Sequence, residues 1–179
     1  MPRNNLNYDK IDPGVRDLVY LLNESVPFTT TGPMEYGESC EGHLRKKIDL
    51  MYLVADPGYY FIVGGILRFS VDYNHPKAKA FLKEVYGLME KYEFVQAGES
   101  DFDYPGCTLK GWQCVSFNEE DLWGNERLKQ SAPTKEVYKK DFQIPAKIAR
   151  QRLKEFRQVW ADFVEIAKRY SSQPITFLS

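Results

Sequence analysis

A chain of 179 residues that is 43% hydrophobic and 27% charged can bury one core, which excludes a disordered or collagen-like polymer. A formal net charge of -1 removes any strong molecule-wide pull toward nucleic acid or membranes. No apolar run reaches bilayer-spanning length, Tyr59 to Leu67 being broken by Gly64-Gly65.

Three cysteines, Cys40, Cys107 and Cys114, cannot all pair within one chain, and the N-terminus lacks a secretory pattern, so a reducing cytoplasm is the expected compartment. The charge is unevenly placed. Residues 93–125 hold seven acids against Lys110 alone, whereas residues 126–170 hold twelve Lys and Arg against six acids. Such asymmetry gives either a basic binding face or two regions that neutralise each other across a packed interface. Aromatic residues, at 15%, serve core packing or a stacking surface.

Asp12-Pro13 reads as a cap followed by proline in the first helical turn, and Val15, Leu18, Val19 and Leu22 recur on one face of a helix ending near Asn23 to Ser25. Val26 to Thr31 then has strand chemistry, interrupted by Gly32-Pro33. Ile48 to Ala55 is predicted as one strand, and Asp56-Pro57-Gly58 as the turn into a strand over Tyr59 to Val63. Gly64-Gly65 predicts a hairpin into Ile66 to Asp72, where Leu67, Phe69 and Val71 alternate.

Asn74-His75-Pro76 opens a second helix with the stripe Phe81, Leu82, Val85, Leu88, Met89 and Tyr92. A short strand is expected at Phe94 to Ala97, an acidic loop over Gly98 to Gly106, and a strand over Cys107 to Phe117. The last element, about Pro145 to Tyr170, sets Ala149, Leu153, Phe156, Trp160, Phe163, Ala167 and Tyr170 on one seam of a long helix. That seam needs cover, from the domain itself or from a second subunit of a homodimer.

Chemistry concentrates at Glu38-Ser39-Cys40-Glu41-Gly42-His43, where a thiol, carboxylates, a hydroxyl and one of two histidines surround a glycine. Four readings fit. Cys40 and His43 with Cys107 and Cys114 have the residue types of a zinc site, but seven residues along a straight strand turn the last two thiols to opposite faces. Cys40 can act as a nucleophile with His43 as base and Glu41 or Glu38 orienting it, with Cys40, His43 and Glu41 as the candidate catalytic residues. Ser39, Gly42 and Arg45 can bind an anionic or nucleotide-like ligand, with Lys46 and Lys47 nearby. The fourth reading is a tight turn whose polar side chains bond to the backbone. His75, just before proline, is read as a helix-start residue.

On the long helix, Arg150, Lys154 and Arg157 form a basic stripe suited to phosphates, and Glu155, Asp162 and Glu165 on the same helix offer the alternative of an ordinary solvated surface.

The Asp12–Val19 and Leu21-Leu22-Asn23 segments, the threonines and Ser39-Cys40-Glu41-Gly42-His43 resemble a group of uncharacterised prokaryotic and phage-type proteins with a Ser-Cys-Glu-Gly-His signature. The element order of about the first hundred residues also resembles the wybutosine-synthesising tRNA methyltransferase family, whose helix and strand precede a Ser-Cys-Ser-Gly-Arg segment. That resemblance implies an S-adenosylmethionine-using enzyme that acts on a modified guanosine in tRNA, with Ser39, Cys40 and Gly42 in the motif. Glu41 stands where that family has serine and His43 where it has arginine, so charge and donor set differ.

The expectation is a single α+β domain with a mainly antiparallel or mixed sheet covered by helices and a long C-terminal amphipathic helix. The expected function is binding of an anionic or nucleotide-like ligand at Ser39 to His43. The alternatives are a tRNA-modifying methyltransferase-like enzyme and a non-catalytic module that binds protein or nucleic acid.

Overall fold

A computed structural model of the chain describes residues 3–31, 42–48, 53–63, 65–92, 95–100, 106–111 and 143–172. Antiparallel sheets are covered by helices, the α+β class expected from the element order. Helix α1 (Pro13–Tyr20) starts with proline where a missing N–H costs no helical bond, and buries Val15, Leu18 and Val19. It continues as a π-helical turn, Leu21–Ser25, closed by the Val26 N–H donating to the Leu21 carbonyl at 2.9 Å. Leu21, Leu22 and Asn23 are all fully buried in that wider turn.

Strand β1 (Thr29–Thr31) is shorter than the Val26 to Thr31 stretch. The Thr29 N–H bonds to the Val26 carbonyl, so Pro27 and Phe28 lie in a turn, and proline has no N–H for a ladder. After β2 (His43–Arg45) come β3 (Lys47–Ile48) and β4 (Leu53–Val54). These correct the single strand expected over Ile48 to Ala55, because Lys47 pairs with Val54 and Ile48 with Leu53 and the chain reverses between them. Strand propensity marks both arms but is blind to a reversal that no glycine or proline announces.

The turn at Asp56-Pro57-Gly58 forms as expected, with the Tyr59 N–H bonded to the Asp56 carbonyl at 3.0 Å and Gly58 at φ 81. Proline second and a left-handed glycine third is the type II arrangement. Strands β5 (Tyr59–Val63) and β6 (Ile66–Val71) follow, but Gly64-Gly65 does not join them as a hairpin. β5 pairs with β2 through Phe61 to Val63 and with β9 (Ile144–Pro145) through Tyr59 and Tyr60, whereas β6 pairs with β1 and with β8 (Gly106–Gly111). The chain passes from one sheet to another there.

Helix α2 (Ala78–Lys91) buries Phe81, Leu82, Val85 and Leu88, while Met89 of its predicted stripe is 38% exposed. His75 opens it as expected: its Nδ1 accepts from the Lys77 N–H and its ring stacks on Phe28 at 4.4 Å. Strand β7 (Val95–Ser100) runs beyond Ala97 into the expected acidic loop, and β8 (Gly106–Gly111) starts one residue before Cys107. β7 is an edge strand, where the backbone ladder with β8 continues through Gly98, Glu99 and Ser100 without needing apolar side chains. The rest of the strand expected to Phe117 lies outside the described residues.

Helix α3 (Ala146–Tyr170) joins the parts. Ala149, Phe156, Trp160, Phe163 and Ala167 of its seam are buried, and the seam is covered by this chain's own α1, α2, the π-helical turn and the β2-β5-β9 sheet. Phe163 reaches the four-stranded sheet, β1-β6-β8-β7, with its ring 5.6 Å from Phe69 and 6.3 Å from Phe81. The N-terminus of α3 has no side-chain cap. Its Ala146 N–H instead donates to the Gly58 carbonyl at 2.8 Å, satisfying one of the orphan amides of a helix start. Among the described residues no helix is long and apolar enough to cross a membrane.

Candidate functional site

Gly42 enters β2 buried and at φ 85, a left-handed conformation that a residue with a β-carbon rarely adopts. This is the conformational freedom for which the glycine was singled out. His43 and Arg45 follow at a two-residue interval and so share one face of β2. The strand is fixed against β5 by the pairs His43 with Val63, Leu44 with Ile62 and Arg45 with Phe61.

The Arg45 Nε–H donates to Nε2 of His43. The imidazole therefore serves as an acceptor at that nitrogen, and the guanidinium is held at its neck. His43 is half-buried and Arg45 exposed. Lys46 lies beside them, its Nζ donating to the Tyr59 carbonyl and sitting 3.9 Å from the Tyr60 ring centroid, and Lys47 is exposed at the start of β3. Three consecutive cations thus stand at the end of β2. Ser39, Cys40 and Glu41 lie outside the described residues, as does Cys114. Among the described residues no three His, Cys, Asp or Glu side chains gather into a metal-ligating group.

The second candidate, Arg150, Lys154 and Arg157, is exposed on α3, with Lys147 one turn earlier. The neighbouring β9–β5 junction is clamped by Gln143, whose amide donates to Asp56 at 2.6 Å and accepts the Asp56 N–H at 2.9 Å. The acids that share α3 are engaged. Asp162 accepts from Lys91, from the Tyr92 hydroxyl at 2.7 Å and from Gln158 at 3.0 Å. Burial pushes its pKa up, but the Lys91, Gln158 and Tyr92 bonds together outweigh this and hold it below the usual value. Glu165 is bonded by Lys168 and Glu155 by Gln151.

Sequence reading missed a polar cluster behind the π-helical turn. Asn23, fully buried, donates to the Asn4 carbonyl at 2.8 Å, the Tyr8 hydroxyl at 3.0 Å and Glu24 at 2.7 Å. It accepts from the Asn4 N–H at 3.3 Å and the Thr30 hydroxyl at 3.0 Å. Tyr8 also donates to Glu24 at 2.7 Å, and burial, followed by that carboxylate, pushes its pKa far above the ordinary tyrosine value. Thr31 ends β1 fully buried, its hydroxyl without a hydrogen-bond partner. The signal was present as an asparagine directly behind Leu21-Leu22, an amide where the apolar face should continue. In comparisons with known proteins, no family model, no curated protein and no solved structure matches this chain.

Proposed function

We propose that the end of β2 binds an anionic, nucleotide-like ligand, with Arg45 as the residue that takes its phosphate. The observation that supports this is the hydrogen bond from Arg45 Nε to His43 Nε2. It fixes the neck of a guanidinium on a paired strand, so its fork is pre-oriented for two parallel bonds to an oxyanion. Lys46 and Lys47 add positive charge, and Gly42 lets backbone approach the ligand. Ser39 precedes Gly42 in sequence as a further donor. His43 acts here by positioning Arg45. Its Nε2 is occupied, so use of that nitrogen as a base for Cys40 or a substrate first requires Arg45 to let go.

The test is thermal unfolding with ADP or inorganic phosphate added to the whole chain. At one hundred times the dissociation constant a ligand stabilises by about 2.7 kcal/mol, which raises the midpoint by roughly 5 to 10 °C for a chain of this size. Arg45→Ala should abolish the shift, and Arg45→Lys should keep only part of it, because a point charge lacks the fork. No shift with either probe, or an equal shift in Arg45→Ala, defeats the reading.

A further inference from the structure

Charge on α3 is sorted by sign around the helix. At about 100° per residue, Lys147, Arg150, Lys154 and Arg157 fall within an arc of about 80°, while Glu155 and Asp162 lie together on a flank about 100 to 120° from the centre of that arc. The flank carrying Asp162 faces α2, where Lys91 and Tyr92 bind it. Glu165 returns to the basic side only two turns beyond Arg157, and there Lys168 holds it. Among the described residues, Lys147, Arg150 and Lys154 have no ion pair. The acids that made this helix look like a mixed, solvated surface therefore do not neutralise Lys147, Arg150 and Lys154.

We infer that the N-terminal half of α3 is a track for a nucleic-acid phosphodiester backbone, a surface separate from the Arg45 site. Steps of three, four and three residues space the four cations about 4.5 to 6 Å apart over about 15 Å of rigid helix, a ladder that matches a periodic polyanion. A net charge of -1 does not oppose this, because screening confines surface fields to about 8 Å at physiological salt and the local stripe dominates. A membrane surface fits less well. Insertion needs an apolar face beside the basic one, and the apolar seam of α3 is buried in the domain, leaving Ile148 as its exposed large apolar residue.

The experiment measures binding of the whole chain to a labelled duplex and to a labelled single strand by fluorescence anisotropy between 50 and 200 mM salt. Three phosphate contacts, from Lys147, Arg150 and Lys154, give a log–log slope of roughly -2.5 to -3 on duplex and somewhat shallower on single strand, a loss of about fortyfold in affinity across that range. The double variant Arg150→Ala/Lys154→Ala should flatten the slope by about 2, with its thermal midpoint unchanged because both side chains are exposed. Arg45→Ala should leave the slope as it is, which separates this surface from the phosphate site at the end of β2. Absence of binding at 50 mM salt, a slope unaltered in the double variant, or equally tight capture of polyglutamate or anionic vesicles overturns the assignment.

Discussion

The region around the four-stranded sheet and the region around the β2-β5-β9 sheet share one helix, α3, yet use polar residues in opposite ways. Over the four-stranded sheet the engaged ones are turned inward or locked between helices, Asn23 with its five bonds, Asp162 with Lys91 and Tyr92, Glu84 with Arg169 and Tyr170, while Lys79 and Lys83 stay exposed on α2. Around the small sheet, Arg45, Lys47, Lys147, Arg150 and Lys154 are exposed, with Gln143 clamping Asp56 and Arg45 bonded to His43. The first region is built for stability. The second presents charge, and that is where function is to be sought.

Core truncation gives the largest contrast between the regions. Phe163 is fully buried between the Phe69 and Phe81 rings, so Phe163→Ala should cost about 3 to 5 kcal/mol in urea unfolding. Exposed cations of the small-sheet region should behave differently, with Arg150→Ala staying within about 0.5 kcal/mol of the parent. A large loss on Arg150→Ala would erase the distinction.

The buried amide comes next. Asn23→Ala leaves the Thr30 hydroxyl and the Asn4 backbone groups without their partner, and an unsatisfied buried polar group costs about 1 to 3 kcal/mol. We expect about 2 to 3 kcal/mol, with no change in the response to ADP or to nucleic acid, since the cluster belongs to the stabilising region. A selective loss of binding in a stable Asn23→Ala protein would move function to the π-helical turn.

What the sequence made legible follows the same division. Periodicity revealed α1, α2 and α3 and the inward face of β6, because each buries a continuous apolar stripe against one core. The small sheet was read poorly. β3 and β4 merge into one run in the sequence, and Gly64-Gly65 imitates a hairpin although β5 pairs with β2 and β9, the latter about eighty residues away. No local pattern encodes such a partner. The conformational freedom of Gly42 is legible from residue type, and its φ of 85 uses that freedom. The bond from Arg45 to His43 needed the strand, which places residues two apart on one face. The sorting of charge around α3 was implicit in its spacing, but whether Asp162 opposes the basic stripe or serves α2 depends on a helix 71 residues away in sequence.

The smallest effect concerns the Glu84 cluster at the C-terminal end of α3, and it has a pH signature. The Tyr170 hydroxyl, then Arg169, holds the Glu84 carboxyl below its ordinary value. Its stabilising contribution is thus present above the usual carboxylate range, about pH 4, and is lost as pH falls through the lowered value. Burial, then Glu84, pushes the Tyr170 phenol up to about 12, so its contribution is present below the ordinary tyrosine value near 10 and is lost as pH rises through about 12. Glu84 is 37% exposed, and solvent screening limits each contribution to less than about 1 kcal/mol. Glu84→Gln should therefore weaken both limbs at once: a shallower loss of stability in acid by urea midpoint, and a Tyr170 phenol that titrates closer to 10 by ultraviolet absorbance. If the variant changes the acid limb and leaves the phenol near 12, then burial alone raises Tyr170, and the two ends of this clamp act independently.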